Sequence, residues 1–261
     1  MIKNILLIGH KSLLGKSIKE FALKNNDLKV FFLDKYFNED DICSLSKKDF
    51  FTKYFSKYPT IDVVISCLHI HKSTFKAELL LNTKVYENII YLAKIQNINK
   101  IIYLSSVNVS KSKSQSYAYV KNKIECLFDD FKNFIIVRPS TIISIDSNKN
   151  LFGGRDGRSF NLFEKFFKYN LPIPIIGDGK YLFTYCFLED IANFILLLAK
   201  EDIFLNKKIN FFSGELMNFN NFIDHIGKIK NKNIRKIHLP LFLISILCKL
   251  KIFNKKNIDN L

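Results

Sequence analysis

Three residues have the types and spacing needed for proton transfer at a carbonyl group. Ser106 ends the segment KIIYLSS, and Tyr117 and Lys121 follow in the segment SYAYVKNKIE. Positions i and i+4 of a helix share one face, so we expect the Lys121 ammonium beside the Tyr117 phenol. A phenol with an ordinary pKa of about 10 is a poor base at neutral pH, and a neighbouring cation favours its ionised form. Ser106 could then hold a substrate oxygen while Tyr117 exchanges a proton with it.

Each of these residues is ordinary on its own. A Tyr/Lys pair on a helix is commonly part of a solvated face, and Tyr119 lies only two residues beyond Tyr117. The order along the chain makes the difference, because a glycine-containing turn comes first, then a serine that ends a strand, then the Tyr/Lys pair. This order favours a nicotinamide-dependent oxidoreductase site.

The glycine-containing turn is the stretch ILLIGHKSLLG, residues 5–15, in which Gly9, Ser12 and Gly15 occupy the usual glycine frame. In a first βα turn, glycines let the backbone approach a pyrophosphate, and the amides of the helix N-terminus bind it. Ser12 adds a side chain at this approach, although its hydroxyl can itself donate to a phosphate. By itself the stretch fits either a cofactor turn or an ordinary strand and helix.

Asp34 favours the cofactor turn, since an acidic residue about 20 residues on can accept hydrogen bonds from the adenosine ribose. The alternative is that Asp34 only ends a strand. Lys11 and Lys35 flank the same region and could meet a ribose 2′-phosphate, so both NAD and NADP stay open, with NADPH slightly preferred if the reaction is a reduction.

Apolar runs of strand length alternate with segments of helical period, which predicts a parallel sheet covered on both faces. The expected fold class is α/β, a doubly wound, Rossmann-like sheet with a small C-terminal substrate lobe. We expect the NAD(P)-binding domain at 1–150 and the lobe, interleaved with the final core elements, at 151–261. The five runs are NILLIG (4–9), KVFFLD (29–34), DVVISCL (62–68), KIIYLSS (100–106) and FIIVRPS (134–140).

Composition limits the other function classes. The formal net charge is +16 over 261 residues, but the lysines are spread along the chain without a basic block, so no nucleic-acid partner is expected. Five cysteines without a CxxC pair argue against a cysteine metal knuckle or a disulfide framework and fit a cytoplasmic protein; no metal ligands are expected. The apolar run at 239–248 is far shorter than the roughly 20 residues of a transmembrane helix, so none is expected.

With these residues in view, the sequence resembles the extended short-chain dehydrogenase/reductase family, also called NAD-dependent epimerase/dehydratase proteins. The resemblance covers most of the chain. It includes GHKSLLG for the family's GxxGxxG, the segment DDI, DVVISCL for a strand that usually ends in two alanines, NTKVYENIIYLA for the NxxGTxNLL helix, and VRPS. The Ser106, Tyr117 and Lys121 set is its most specific part.

The resemblance implies a nucleotide-activated sugar as substrate, Ser106, Tyr117 and Lys121 as catalytic residues, and a homodimer as one possible assembly. It also implies which residues bind the cofactor. These are Gly9, Lys11, Ser12, Leu13, Leu14, Gly15, Asp34, Lys35, Asp41, Ile42, Cys67, Leu68, Asn82, Tyr117, Lys121 and Pro139.

Departures from the family pattern narrow the implied reaction. Val107 and Asn108 stand where 4,6-dehydratases of the family carry an Asp-Glu pair, and Val107 also replaces the cysteine of epimerases that act at C3 and C5. Reduction of a 4-keto sugar and 4-epimerisation remain, and the small lobe favours reduction. Because Ser12, Cys67 and Leu68 erode the cofactor motifs, a non-catalytic NAD(P)-binding module is a further alternative.

Overall fold

The computed structural model describes residues 2–33, 60–111, 116–145, 151–153, 159–214, 216–240 and 242. The chain divides into two compact units, the first formed by Met1–Ile142 and Cys186–Ser213 and the second by Ile143–Tyr185 and Gly214–Leu261. The first unit is therefore built from two separate parts of the chain.

Among the described residues, the first unit holds a six-stranded parallel sheet and four α-helices. Its described elements are β1 (Lys3–Ile8), α1 (Leu13–Leu23), β2 (Leu28–Leu33), β3 (Val63–Ser66), α2 (Phe75–Ile95), β4 (Lys100–Leu104), a 3₁₀ turn (Val107–Lys111), α3 (Tyr117–Leu127), β5 (Phe134–Pro139), the first part of β6 (Thr141–Ile145), α5 (Leu188–Lys200) and β11 (Lys207–Phe211). The strand order in the sheet is β11-β5-β4-β3-β1-β2, and every neighbouring pair is parallel. The doubly wound α/β sheet that the sequence predicts is confirmed.

The strands of this sheet are buried on both faces, as their unbroken apolar sequences predict. Leu6, Ile101 and Tyr103 face a core formed with α2 and α3, while Ile5 and Ile102 point to the opposite face and are equally inaccessible to solvent. Helices α1 and α5 contact each other. The sheet is thus a rigid layer whose strand ends can position side chains.

The order of the strands creates a crevice at the carboxyl ends of β1 and β3. The chain runs from β1 to β2 on one side, and β3 then pairs with the other side of β1, with Ile5 opposite Val63 and Ile8 opposite Ser66. Ligands of open α/β sheets bind at the carboxyl ends of the strands, where the strand order reverses in this way. This places the expected binding region after Ile8 and Ser66.

The second unit consists of short elements around an aromatic cluster. Its described elements are β7 (Leu151–Gly153), α4 (Ser159–Lys168), β8 (Ile173–Ile176), β9 (Leu182–Phe183), the first residue of β10 (Tyr185–Phe187), β12 (Met217–Asn218), α6 (Phe219–Lys230) and β13 (Lys236–Leu239). Strands β8 and β13 are parallel, whereas β6 pairs antiparallel with β7 and β9 pairs antiparallel with β12.

Candidate functional site

The turn after β1 has one position, Gly9, that only glycine can occupy without strain. Gly9 has φ +84°, and a Cβ there would lie 2.9 Å from the backbone nitrogen of Leu68, just beyond β3. The Cys67 amide in turn donates to the Ile8 carbonyl at 2.9 Å. The two strand ends therefore meet backbone to backbone at the point where the strand order reverses, which leaves the turn free of side chains there.

Ser12 is the N-cap of α1, and its hydroxyl is engaged within the turn. Its Oγ donates to the Gly9 carbonyl at 2.8 Å and accepts from the Gly15 amide at 3.0 Å, while a Cβ on Gly15 would overlap the Gly9 carbonyl oxygen. The single hydroxyl proton is thus used inside the turn. The amides of Leu13 and Leu14 lie in the first turn of α1, where backbone amides have no acceptor within the helix. Lys11, close to them in sequence, is exposed.

Lys121 is the most constrained of the predicted catalytic residues. It is 2% exposed, and its ammonium donates to the Leu104 carbonyl at 2.7 Å. The Nζ lies 5.7 Å from the centre of the Tyr117 ring, one helical turn earlier. Burial lowers the pKa of Lys121 to about 7, although the Glu125 carboxylate acts to raise it. The lysine is therefore poised to change charge near neutral pH.

Ser106 immediately precedes the 3₁₀ turn and Tyr117 begins α3, the two elements that follow β4. Ser106 comes two residues after Leu104, and its Oγ accepts from the Asn108 amide at 3.3 Å, which starts the 3₁₀ turn. Tyr117 is the first residue of α3, where Ser116 caps the helix by accepting from the Tyr119 amide. Because Lys121 binds the Leu104 carbonyl, the structure brings α3 against the strand end that carries Ser106.

A buried ionic network supports the same strand end. Glu125, on α3 one turn after Lys121, is 1% exposed and accepts from the Ser105 hydroxyl. Arg138 at the end of β5 donates to both carboxylate oxygens, from Nε at 3.0 Å and also from a terminal nitrogen. A carboxylate held in this bidentate way fixes α3, β4 and β5 to one another. Sequence reasoning missed this network, although Glu125 shares a helical face with Lys121.

Side chains of α2 hold the loop after β3 in place by hydrogen bonds to its backbone. Asn82 is fully buried, and its amide group accepts from the Ile70 amide at 2.9 Å and donates to the Ile70 carbonyl at 2.8 Å. The Tyr86 hydroxyl donates to the Leu68 carbonyl at 2.9 Å. Burial raises the pKa of Cys67 to about 12, so this side chain is a neutral thiol. Asn82, predicted from the resemblance as a cofactor residue, shapes the loop through its backbone.

Two histidines of this loop were absent from the sequence prediction. The ring of His69 lies 4.5 Å from the Tyr117 ring, edge to face, and the ring of His71 lies 6.3 Å from it. His69 Nε2 is 3.0 Å from an oxygen of Glu78 on α2. Burial lowers the pKa of His69 to about 4, against the opposing effect of that hydrogen bond, so the ring is neutral. The spacing His-x-His followed by Glu78 was the available signal.

The remaining predicted residues divide into two groups. Pro139 is buried at the end of β5. Asp34, Lys35, Asp41 and Ile42 lie outside the described residues. A cleft in the second unit, lined in part by Phe167, Lys232 and Arg235, contains none of the predicted residues.

Within the part of the chain that the structure describes, none of the helices combines the length and the apolar character that crossing a lipid bilayer requires.

Comparisons with known proteins agree with this geometry. A family model described as "NAD dependent epimerase/dehydratase family" matches residues 5–210. No curated protein matches the sequence. The fold is similar to a GDP-L-fucose synthetase of Naegleria fowleri bound to NADP, with 19% identity, coverage of 91% of this chain and 81% of that chain, and a TM-score of 0.69.

Two further solved structures share the fold. A dTDP-4-dehydrorhamnose reductase of Bacillus anthracis in complex with NADP has 13% identity and a TM-score of 0.71, over 92% of this chain and 85% of that chain. A UDP-glucose 4-epimerase of Thermotoga maritima with UDP-glucose has 14% identity and a TM-score of 0.68, over 91% and 84%. At these identities the likeness establishes the fold, and the neighbours include a synthetase bound to NADP, a reductase in complex with NADP and an epimerase with UDP-glucose.

Proposed function

This chain belongs to the NAD-dependent epimerase/dehydratase family, and we propose that it reduces the keto group of a nucleotide-activated 4-keto sugar with NADPH. The proposal is carried by one observation. The buried Lys121 ammonium donates to the Leu104 carbonyl and lies beside the Tyr117 ring. Leu104 comes two residues before Ser106, so the lysine is held at the strand end that leads to Ser106. Members of the family are NAD(P)-dependent enzymes, and the reductase activity and the choice of NADPH are the proposed refinements.

The turn between Gly9 and Gly15 fits a dinucleotide. A Cβ at either glycine would collide with backbone, so these two positions leave the backbone and the first amides of α1 open to a pyrophosphate. We assign cofactor binding to Gly9, Gly15, Leu13 and Leu14 here, and to Cys67 and Leu68 across the crevice. Lys11, exposed beside the turn, is the residue that would favour a 2′-phosphate and hence NADPH.

The catalytic residues divide the work between holding and protonating the substrate oxygen. When bound, the nicotinamide supplies the hydride that reduces C4 of the sugar. Tyr117 donates its phenolic proton to the sugar oxygen, which becomes a hydroxyl, and the phenolate that remains is stabilised by the Lys121 cation until solvent returns the proton. Ser106 donates a hydrogen bond to the same oxygen and keeps it within reach of Tyr117.

The buried groups around this site support proton transfer near neutral pH. Lys121 has a pKa of about 7 because of burial, so a substantial fraction is charged when Tyr117 ionises. Glu125 opposes the effect of burial and helps to keep the lysine protonated. We assign substrate recognition to the second unit, since the first provides the cofactor turn and the catalytic residues.

The test is to supply purified protein with NADPH or NADH and a nucleotide-linked 4-keto-6-deoxyhexose, and to follow the loss of reduced-cofactor absorbance. The expected result is stoichiometric conversion of keto sugar to alcohol, faster with NADPH. A parallel reaction with NAD and UDP-glucose reports 4-epimerisation as UDP-galactose. Epimerisation without net cofactor oxidation would overturn the reductase proposal, as would cofactor binding without turnover of either substrate.

A further inference from the structure

A group of three potential metal ligands lies beside the proposed catalytic tyrosine. His69 and His71 come from the loop after β3, and Glu78 comes from the first turn of α2. One ligand atom from each residue can be chosen so that all three lie within 4.8 Å of one another. We propose that His69, His71 and Glu78 form a binding site for one divalent transition-metal ion, with zinc as the ion that best suits the ligands.

The two oxygens of Glu78 each face one histidine nitrogen. Oε1 lies 3.0 Å from His69 Nε2, and Oε2 lies 3.6 Å from His71 Nδ1. Tetrahedral zinc with bonds of about 2.0–2.2 Å keeps neighbouring ligand atoms roughly 3.4 Å apart. Because these two separations involve different oxygens of Glu78, only one of them belongs to a set with one ligand atom per residue. All three atoms of that set lie within 4.8 Å of one another, so side-chain rotations that bring them closer are needed to close the set around an ion.

The backbone that carries these ligands is held in place before any ion binds. The Asn82 side chain binds both the amide and the carbonyl of Ile70, the residue between the two histidines. The Lys72 amide donates to Glu78 at 3.2 Å, and Thr74 caps α2 by accepting from the Ala77 amide. Such preorganisation lowers the conformational entropy that metal binding must overcome.

The chemistry of the ligands points to a borderline metal rather than to calcium or magnesium. Imidazole suits zinc, copper, nickel and iron, whereas calcium and magnesium prefer a shell of oxygens. Two histidines and one glutamate also form a known type of zinc site, in which three protein ligands leave one position for water or substrate. The charge of Glu78 compensates part of the charge of the ion.

Accessibility allows the ion to enter from solvent. The His71 side chain is 56% exposed, whereas those of His69 and Glu78 are 7% and 14% exposed. Binding replaces the contact between His69 Nε2 and Glu78, and because the neutral ring carries a single N–H, that proton must then reside on Nδ1. The Lys121 cation acts on His69 and opposes the ion, so we expect moderate rather than extreme affinity. Metal binding at this site can be measured without any turnover of substrate, so its test does not depend on the proposed reductase activity.

The test is a titration of tag-free, chelator-treated full-length protein with Co²⁺, read from the visible absorption of the bound ion, and with Zn²⁺ by calorimetry. Wild type should bind one ion per chain. His71→Ala should weaken binding at least about tenfold, and because His71 is half-exposed this variant is expected to remain folded. Glu78→Gln should weaken binding as well, with its fold checked by circular dichroism.

His225→Ala is the matched control, because His225 is an exposed histidine on α6 in the second unit. It should bind the ion as wild type does. Absence of one-to-one binding by wild type, or equal affinity in wild type and His71→Ala, would overturn the proposal. Loss of binding in His225→Ala would overturn it too, since the ion would then be held elsewhere.

Discussion

The interior of each of the two units is stabilised mainly by a different kind of interaction. Among the residues whose burial the structure describes, every buried polar or charged residue except Ser144 lies in the first unit, and the second unit adds one largely buried ion pair between Lys230 and Glu164. The second unit instead packs aromatic rings, with Phe222 at 4.6 Å from Phe183 and 5.2 Å from Tyr185. Hydrogen bonds between buried groups are directional and fix positions, whereas ring packing supplies burial with looser geometric demands.

This contrast indicates where accuracy is required. A proton can pass only between atoms at hydrogen-bond distance, so the unit with the Tyr/Lys pair uses Asn82, Glu125 and Arg138 to fix its strand ends. Ring packing, which dominates the second unit, tolerates more adjustment. Four substitutions test the contrast.

The largest effect is expected from Tyr117→Phe, which removes the proposed proton donor but keeps the ring against His69. Reduction of the keto sugar should fall about 10²–10⁴-fold, while the free energy of unfolding and the affinity for NADPH stay close to wild type. Steady-state kinetics and urea unfolding measure both. Tyr119→Phe, two residues on and with its ring beside Phe75, is the control and should retain its rate. Equal losses in both variants would refute the assignment of Tyr117.

The next effect concerns the second unit. Phe222 is fully buried, so Phe222→Ala should lower the free energy of unfolding by about 3–5 kcal/mol through lost burial and a cavity. Phe212→Ala, at a residue 48% exposed in the first unit, should change it by no more than about 0.5 kcal/mol. Denaturant unfolding distinguishes them, and similar values for the two would show that the aromatic cluster does not stabilise its unit.

An intermediate effect is expected from Glu125→Gln. Glu125 raises the pKa of Lys121, so removing its charge lowers that pKa, and the protonated fraction of Lys121 then declines at lower pH. If the pKa falls by about one unit, turnover on the alkaline side drops about tenfold and the alkaline limb of the pH profile moves toward acid.

The control for Glu125→Gln is Glu87→Gln, at an exposed residue of α2 that pairs with Lys84; its profile should match wild type. A uniform loss of rate in Glu125→Gln without a shift of the profile would mean that Glu125 acts only on the structure.

The smallest effect is expected from Ser12→Gly. Ser12 caps α1 through its own turn, and replacing a capping serine by glycine costs only a few tenths of a kcal/mol, on the order of 0.3. The affinity for NADPH should therefore stay within about twofold of wild type in a fluorescence titration. A tenfold weaker affinity would instead indicate that the hydroxyl reaches the phosphates.

Much of the fold follows from local sequence. The run NILLI forms β1 and the run FIIVRP forms β5. Strands with consecutive apolar residues are typical of a parallel sheet that is covered on both faces, since their side chains point alternately to the two faces. The segment FLEDIANFILLLAK at 187–200 has the apolar period of a helix and forms α5, Leu188–Lys200. The residues Ser106, Tyr117 and Lys121 were also recognisable, since their order and helical spacing are local properties.

The supporting groups could not be read in the same way. Ser105, Glu125 and Arg138 meet only because β4 and β5 are neighbours and α3 crosses between them. His69 and Glu78 meet because the loop after β3 folds back onto α2. These contacts depend on strand order and loop path, which no short sequence pattern records.

The sequence by itself therefore determined the strands, the helix that carries Tyr117 and Lys121, and the family to which the chain belongs. Apolar period and i, i+4 spacing are sufficient for these because they act within one element. Only the tertiary structure decided that Lys121 binds the Leu104 carbonyl with a pKa near 7, that Ser12 uses its hydroxyl within the turn, and that two histidines and a glutamate gather beside Tyr117. Burial and contacts between distant elements produce these properties, and they exist only in the folded chain.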